Sequence, residues 1–389
     1  MLVSKLPDVG VSIFAQMTAL AQQTGALNLA QGFPDYDPPL ALREALARHA
    51  LAPGSHQYAP MPGLPRLREA IAAQVVRLQP DAPAPDPATE VTITAGATEA
   101  LYGVLAAVVQ AGDEVIILEP AYDLYGPAVR LQGGVPRYVR LPAPSFRPDW
   151  AAVQAALTPR TRLVIVNTPH NPSGAVFGAE DWDALANLLD GTDVLVLSDE
   201  VYEHLVFDGV APRSARQHPA LRGRSFVLSS FGKTYHATGW KAGYCLAPAA
   251  LSTELRRVHQ FVTFAVSTPT QHALADALLA DPTDAHARGL AAFYQAKRDQ
   301  FRVLLAGAGW ELLPVPGGYF QLAGYRAYSE AGDVAFATEL AREWGVAVVP
   351  VSAFYHDGYD PGLVRFCFAK EPATLEAAAA RLRRSPARK

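Results

Sequence analysis

The chain has 389 residues, half of them apolar and 18% charged, with a formal net charge of −4. That length exceeds what one hydrophobic core fills, so two domains, or one large domain with a smaller lobe, are expected, and the low charge content favours a well-buried globular enzyme over a disordered or surface-binding module. The net negative charge, with no basic block beyond the C-terminal RLRRSPARK, argues against nucleic acid, and that terminus reads as a solvated, frayed end.

Two cysteines, Cys245 and Cys367, lie far apart without CxxC spacing or a histidine ligand pattern. Neither a disulfide framework nor a metal site is expected, and a reducing, cytoplasmic compartment fits. The N-terminal MLVSKLPDVGVSIF lacks a signal-length apolar core, and no run of 18 apolar residues predicts a membrane span.

From residue 91 short β-branched runs alternate with Ala/Leu-rich stretches of helical length. VTIT (91–94) predicts a strand, and TEALYGVLAAVVQAG a helix that stops at Gly112. EVIIL (114–118) predicts the next strand, followed by a helix near 123–132 and a strand around VPRYVRL. RLVIV (162–166), the helical AEDWDALANLLD, VLVL (194–197) and SFVLSS (225–230) continue the alternation. Runs this apolar are strands covered on both faces, so a mainly parallel α/β sheet is expected. The Pro-rich stretches at 79–90 and 141–150 read as loops. After DPTDAHARG (281–289) comes a long helical pattern, and ELLPVPGGYFQL and VAVVP then predict strands of a separate α+β lobe.

Open α/β sheets bind ligands beyond the carboxyl ends of their strands, so the residues there are the candidates. After VTIT, Gly96-Ala97-Thr98 open a helix, whose N-terminal N–H groups suit an anion, although a tight turn explains the glycine equally well. After RLVIV comes the polar turn NTPHNPSG, with Asn171. After VLVL come Asp199 and Tyr202. A carboxylate at the mouth of an apolar strand needs a cation or several donors, with a helix cap as the plainer alternative. SFVLSS delivers Ser230 and Lys233, and Lys241 follows eight residues later. For Lys233 the plainer alternative is a structural salt bridge. One ligand would use all of these groups: an aldehyde cofactor with a phosphate, a phenolic oxygen and a basic ring nitrogen, which is pyridoxal 5′-phosphate.

With these residues in place, the chain resembles the class I/II aminotransferases of fold type I over essentially its whole length. SSFGKTYHATGWKAGY resembles their Schiff-base lysine motif, NTPHNPSG their asparagine turn and SDEVYEHL their ring-nitrogen carboxylate motif. LNLAQGFPDYDPP, HQYAPMPG, TAGATEALY and VRFCFAK resemble the methionine and kynurenine-type branch. The resemblance implies a seven-stranded, mainly parallel sheet sandwiched by helices, with a smaller α+β domain. It divides the chain into an N-terminal arm and part of the small domain (1–45), a large cofactor-binding domain (46–285) and a small C-terminal domain (286–389).

The resemblance implies further that Lys233 forms the internal aldimine and that Asp199 keeps the pyridine nitrogen protonated, making the ring an electron sink. Asn171 and Tyr202 would bond the phenolic oxygen. The backbone at Gly96, Ala97 and Thr98, with Ser230 and Lys241, would hold the phosphate, and Tyr122 would stack on the ring. More distant members carry arginine at the position of Lys241; lysine keeps the charge without the bidentate fork. Arg365, with Gly32 and Asn171, would take the substrate α-carboxylate. Tyr58 would reach the phosphate of a neighbouring subunit, implying a homodimer with shared sites.

Phe14, Tyr36, Tyr58, Tyr122 and Phe320 fall at pocket-lining positions of that family and suit a large apolar or thioether side chain, although core packing explains each of them as well. No motif-anchored arginine selects a second carboxylate. The expected activity is therefore ping-pong transfer from methionine, an aromatic amino acid, kynurenine or glutamine to a 2-oxo acid. A cysteine-conjugate β-lyase on the same fold and a non-catalytic binding protein are the alternatives; the absence of GxGxxG after a strand sets aside a nicotinamide-dependent dehydrogenase.

Overall fold

The computed structural model describes residues 3–383. Met1, Leu2 and 384–389 lie outside them, and with them most of the C-terminal end read as frayed. The strands in chain order are β1 (Leu27–Asn28), β2 (Val91–Thr94), β3 (Glu114–Glu119), β4 (Val135–Arg140), β5 (Thr161–Asn167), β6 (Leu195–Asp199), β7 (Ser225–Ser230), β8 (Gly243–Leu246), β9 (Glu311–Leu312), β10 (Phe320–Gly324), β11 (Val346–Ala347), β12 (Val349–Pro350) and β13 (Leu363–Cys367).

Seven of them form one sheet in the order β2-β8-β7-β6-β5-β3-β4. Only β8 runs antiparallel to its neighbours. Alternate residues of each central strand enter two separate cores. Val115, Ile117, Leu163, Ile165, Leu197 and Phe226 pack with Leu101, Val104 and Leu105 of the helix Gly96–Val108 on one face. Ile116, Leu118, Val164, Val166, Val196 and Val227 pack on the other face, in the core that holds Trp182 and Leu185 of the helix Ala179–Leu188. Both faces are covered, which is why these strands read as unbroken apolar runs. Each fully buried Val, Leu or Ile contributes about 1.5–3 kcal/mol. The edge strand β4 alternates instead between exposed and covered residues.

The expected fold is the one observed, with two local differences. The helix after β2 ends at Val108 rather than Gly112, because Val109 turns extended and the Asp113 carboxylate accepts the Gln110 N–H, closing a turn in place of a further helical turn. The seventh strand, β8, falls on Gly-Tyr-Cys-Leu, a short buried run not among the expected strands. Gly243 opens it where it passes the Gly96 turn: a Cβ there would lie 2.7 Å from the Ser229 carbonyl oxygen and 3.1 Å from the Ala97 nitrogen.

A second, antiparallel sheet has the order β12-β13-β10-β9. The helices Ala285–Leu305 and Pro372–Arg383 pack against each other beside it, and the Phe301 ring meets Phe366 edge-on at 5.7 Å. β13 is an inner strand of this sheet, and its Arg365 is paired in register with Leu322 and Val349. β1 pairs with β11 in parallel, tying the N-terminal segment to this part of the chain. No helix among the described residues is long and apolar enough to cross a membrane.

Candidate active site

The carboxyl ends of β2, β5, β6 and β7 open into one cavity of about 590 Å³. Of the residues singled out in the sequence, Phe14, Gly32, Gly96, Ala97, Thr98, Tyr122, Asn171, Asp199, Tyr202, Ser230, Lys233, Lys241, Phe320 and Arg365 all line it.

At one end, Gly96 takes a left-handed conformation (φ +77°) between β2 and its helix. A Cβ on Gly96 would come 3.5 Å from the Lys241 Nζ. Lys241 is itself held left-handed (φ 52°) after the short turn Thr238–Trp240. A helix N-terminus, the Ser230 hydroxyl at the end of β7 and this ammonium make a cradle suited to a dianion.

At the middle of the sheet, β5 and β6 place Asn167 beside Asp199. The Asn167 amide donates to the Asp199 carbonyl at 2.9 Å, and its Oδ1 accepts the Asn171 N–H at 2.8 Å. The Asp199 carboxylate accepts the Tyr125 hydroxyl at 2.7 Å. Burial pushes this carboxyl up, against the pull of the Tyr125 hydroxyl, the Val201 N–H and the Lys233 charge. A positively charged donor arriving in the cavity would relieve that burial cost. Tyr122 lies edge-on to Tyr125 at 5.8 Å and is pushed up to about 12, chiefly by burial.

Lys233 sits on the single turn Phe231–Thr234 that follows β7. Its Nζ donates to the Gly32 carbonyl at 3.1 Å and to the Tyr319 hydroxyl oxygen at 3.0 Å. Burial pulls the amine down to about 8, aided by the nearby charges of Arg365 and Lys241. Tyr202 lies edge-on to Tyr319 at 5.0 Å and to Phe320 at 5.9 Å.

At the far end, Arg365 is fully buried, so it is not a stem-buried arginine that reaches solvent. Its guanidinium donates to the Asn171 Oδ1 at 2.6 Å and to the Ala30 carbonyl at 2.8 Å. It lies over the Phe320 ring at 3.8 Å, and its Nε has no partner among the described residues. Burial draws its pKa down to about 10. Gly32 leaves the space for this arrangement: a Cβ there would meet the Phe320 ring at 2.9 Å.

Two expected lining residues stand apart. Tyr58 is 83% exposed, with the Phe264 ring 5.2 Å away edge-on, and does not reach this cavity within its own chain. Tyr36 turns instead to the Tyr294 hydroxyl at 2.9 Å and is also outside the cavity. Tyr125, Tyr319 and Asp123 belong to the site but were not singled out in the sequence. Asp123 lines the cavity, and among the described residues no side chain donates to its carboxylate. Away from the cavity, Glu119, His356 and Asp357 come close enough together to hold a metal, but Arg140 already pairs with both Asp357 and, at 3.6 Å, Glu119.

The chain matches the family described as aminotransferase class I and II over residues 24–382. It is a class I and II aminotransferase. This aminotransferase is 51% identical to a methionine aminotransferase of Escherichia coli over 98% of its own length and 97% of that protein's. It is 32% identical to a kynurenine–oxoglutarate transaminase of Dictyostelium discoideum over 95% and 93% of the two chains. A crystal structure of an Escherichia coli protein reported to have a methionine aminotransferase function superposes with a TM-score of 0.95, covering 98% of this chain and 99% of the other. A single mutant of the aspartate aminotransferase of Thermus thermophilus, 32% identical, superposes at 0.89, covering 99% of this chain and all of its own. The aminotransferase thus has both the family and the fold that its motifs led one to expect.

Proposed function

We propose that this aminotransferase holds pyridoxal 5′-phosphate covalently at Lys233 and moves the amino group of a large apolar amino acid to a 2-oxo acid by a ping-pong route. The observation that carries this reading is the convergence on one cavity of a lowered-pKa amine, a Tyr125-bonded carboxylate and a cationic cradle at a helix N-terminus. The donor set fits the cofactor. Gly96, Ala97, Thr98, Ser230 and Lys241 would hold its phosphate, Asp199 its ring nitrogen, Asn171 and Tyr202 its phenolic oxygen, and Tyr122 would lie against its ring. When bound, the cofactor supplies an electron sink for the electron pair left at the substrate Cα.

The chain's own groups do the rest. The neutral Lys233 amine serves first as nucleophile and then, once displaced by the substrate amine, as the base that moves the Cα proton. Arg365 and Asn171 bind and orient the substrate α-carboxylate, with Gly32 leaving room beside them. Phe14, Phe320 and Tyr122 offer an apolar wall for a thioether or aromatic side chain, and the Asp123 carboxylate repels a second acidic group. Methionine, aromatic amino acids, kynurenine and glutamine are the proposed donors, the names of the relatives speaking for methionine and kynurenine. Two free, buried cysteines fit a cytoplasmic setting.

The deciding experiment is an absorbance spectrum of the purified protein followed by a donor panel. A visible-edge band bleached by borohydride, with methionine giving its keto acid and aspartate nearly inert, is expected. A protein that takes up no aldehyde cofactor overturns the reading, and release of pyruvate in place of the keto acid would reassign it as a β-lyase.

The Lys233 environment sets a pH dependence. An amine must be neutral to attack an aldehyde, and lowering its pKa from 10.5 to about 8 raises the neutral fraction at pH 7 from about one in three thousand to roughly one in ten. The rate at which cofactor-free protein captures the aldehyde should therefore rise with pH to a plateau above about 8, followed by stopped-flow absorbance. A rate still climbing at pH 10 contradicts the assignment.

The exposed Tyr58 supports a homodimer in which it reaches the neighbouring subunit's cradle. Analytical ultracentrifugation should give a dimer, and a fully active monomer would rule out the shared site.

A further inference from the structure

Among the described residues, Tyr319 is the one side chain hydrogen-bonded to the Lys233 amine, and its own proton is already committed: its hydroxyl donates to the Gly32 carbonyl at 2.6 Å. The Tyr319 oxygen can therefore only accept from Lys233, at 3.0 Å, while the same Gly32 carbonyl accepts a second Lys233 N–H at 3.1 Å. A neutral primary amine has two N–H bonds and one lone pair. With both N–H bonds taken by this pair of acceptors, the lone pair has a single remaining direction. Tyr319 is itself fixed: it is fully buried, between Tyr202 at 5.0 Å, Phe320 at 4.8 Å and Tyr294 at 5.7 Å, measured between ring centroids.

We infer that Tyr319, with the Gly32 carbonyl, is the positioning residue that receives the Lys233 amine when the substrate displaces it and aims its lone pair at the substrate Cα. The inference rests on the proposed role of Lys233. The step balances without a further reactant. The lone pair would take the Cα proton and the amine would become an ammonium, while the cofactor, when bound, would supply the sink for the electron pair of the broken C–H bond. Two of its three N–H bonds remain on Tyr319 and Gly32, and the third carries the transferred proton along the direction the lone pair held. Tyr202, which would bond the cofactor's phenolic oxygen, packs directly on Tyr319, so the holder of the base and a holder of the cofactor share one aromatic contact.

The test is Tyr319→Phe, which keeps the ring contacts and removes only the hydroxyl. With an unchanged melting temperature as control, kcat for methionine is expected to fall about 10- to 100-fold with little change in KM. The isotope effect from methionine deuterated at Cα should rise, because proton transfer becomes slower relative to the other steps. A readout independent of turnover is the pH midpoint of aldehyde capture by the cofactor-free protein. Losing an acceptor destabilises the ammonium more than the neutral amine, so that midpoint should move to lower pH. A merely structural role for Tyr319 moves neither the isotope effect nor the midpoint.

If Tyr319→Phe does not fold, 3-fluorotyrosine at the same position, which keeps the hydroxyl but weakens it as an acceptor, should move both readouts the same way by less. Wild-type kcat, isotope effect and midpoint in the altered protein overturn the inference. Absence of any borohydride-fixed attachment at Lys233 in the wild type overturns the parent reading instead, so the two failures are distinguishable.

Discussion

Replacing Lys233 by alanine should abolish transamination, lowering the rate by at least roughly 10⁴-fold, because in the proposed function one amine supplies both the covalent attachment and the base. The visible band should vanish, and borohydride should no longer fix the cofactor to the peptide carrying residue 233. Stability should hold or improve. The deleted amine is buried at a desolvation cost, and the Tyr319 to Gly32 hydrogen bond at 2.6 Å survives without it. An alanine variant that still transaminates and keeps the band would end the assignment, whereas one that merely unfolds would show as a lost thermal transition. Measuring activity, spectrum and melting temperature together separates these outcomes.

The second large effect is expected at Arg365. Arg365→Lys keeps the charge but loses the planar fork, and with it at least one charge-assisted hydrogen bond to the substrate carboxylate and the bond to the Asn171 Oδ1. At about 1.5–3 kcal/mol for such a bond, kcat/KM should fall roughly 10- to 100-fold, most of it in KM. Arg365→Ala should be worse in a different way. It strands the Asn171 Oδ1 and the Ala30 carbonyl in a buried place and opens a void beside Phe320, so a loss of stability of about 3–5 kcal/mol is expected. Steady-state kinetics on methionine and thermal unfolding check the pair. Wild-type KM in Arg365→Lys would move the carboxylate site elsewhere in the cavity.

Much of the site was legible because strand ends are legible. The apolar runs of β5, β6 and β7 stop abruptly at Asn167, Asp199 and Ser230, and a sheet covered on both faces leaves only that edge for ligands. Tyr125 and Tyr319 were not legible. Each is a tyrosine in an apolar setting, and sequence alone does not separate a buried ring packed for its area from one whose hydroxyl meets Asp199 or Lys233. The strand β8 was missed because its short apolar run, Tyr244-Cys245-Leu246, follows the lysine-bearing turn directly and has no stretch of helical length before it; its place is fixed by pairing with β2 and β7. Tyr36 reads as pocket-lining by position, yet its hydroxyl finds Tyr294, a partner 258 residues away in sequence. Tyr58 illustrates the opposite limit: within its own chain it meets the Phe264 ring and not the cavity, and its proposed role toward a neighbouring subunit leaves no trace in a single chain.

The antiparallel return from β7 to β8 has a mechanical consequence. Lys233 and Lys241 both ride on the short connector between these two hydrogen-bonded neighbours, so the spacing between the proposed attachment point and the proposed phosphate counter-charge is set by local chain geometry. Arg365 rides on β13, in the other sheet. A rocking of one sheet against the other would therefore lengthen or shorten the distance from Arg365, the proposed carboxylate grip, to Lys233, while the two lysines travel as one rigid handle.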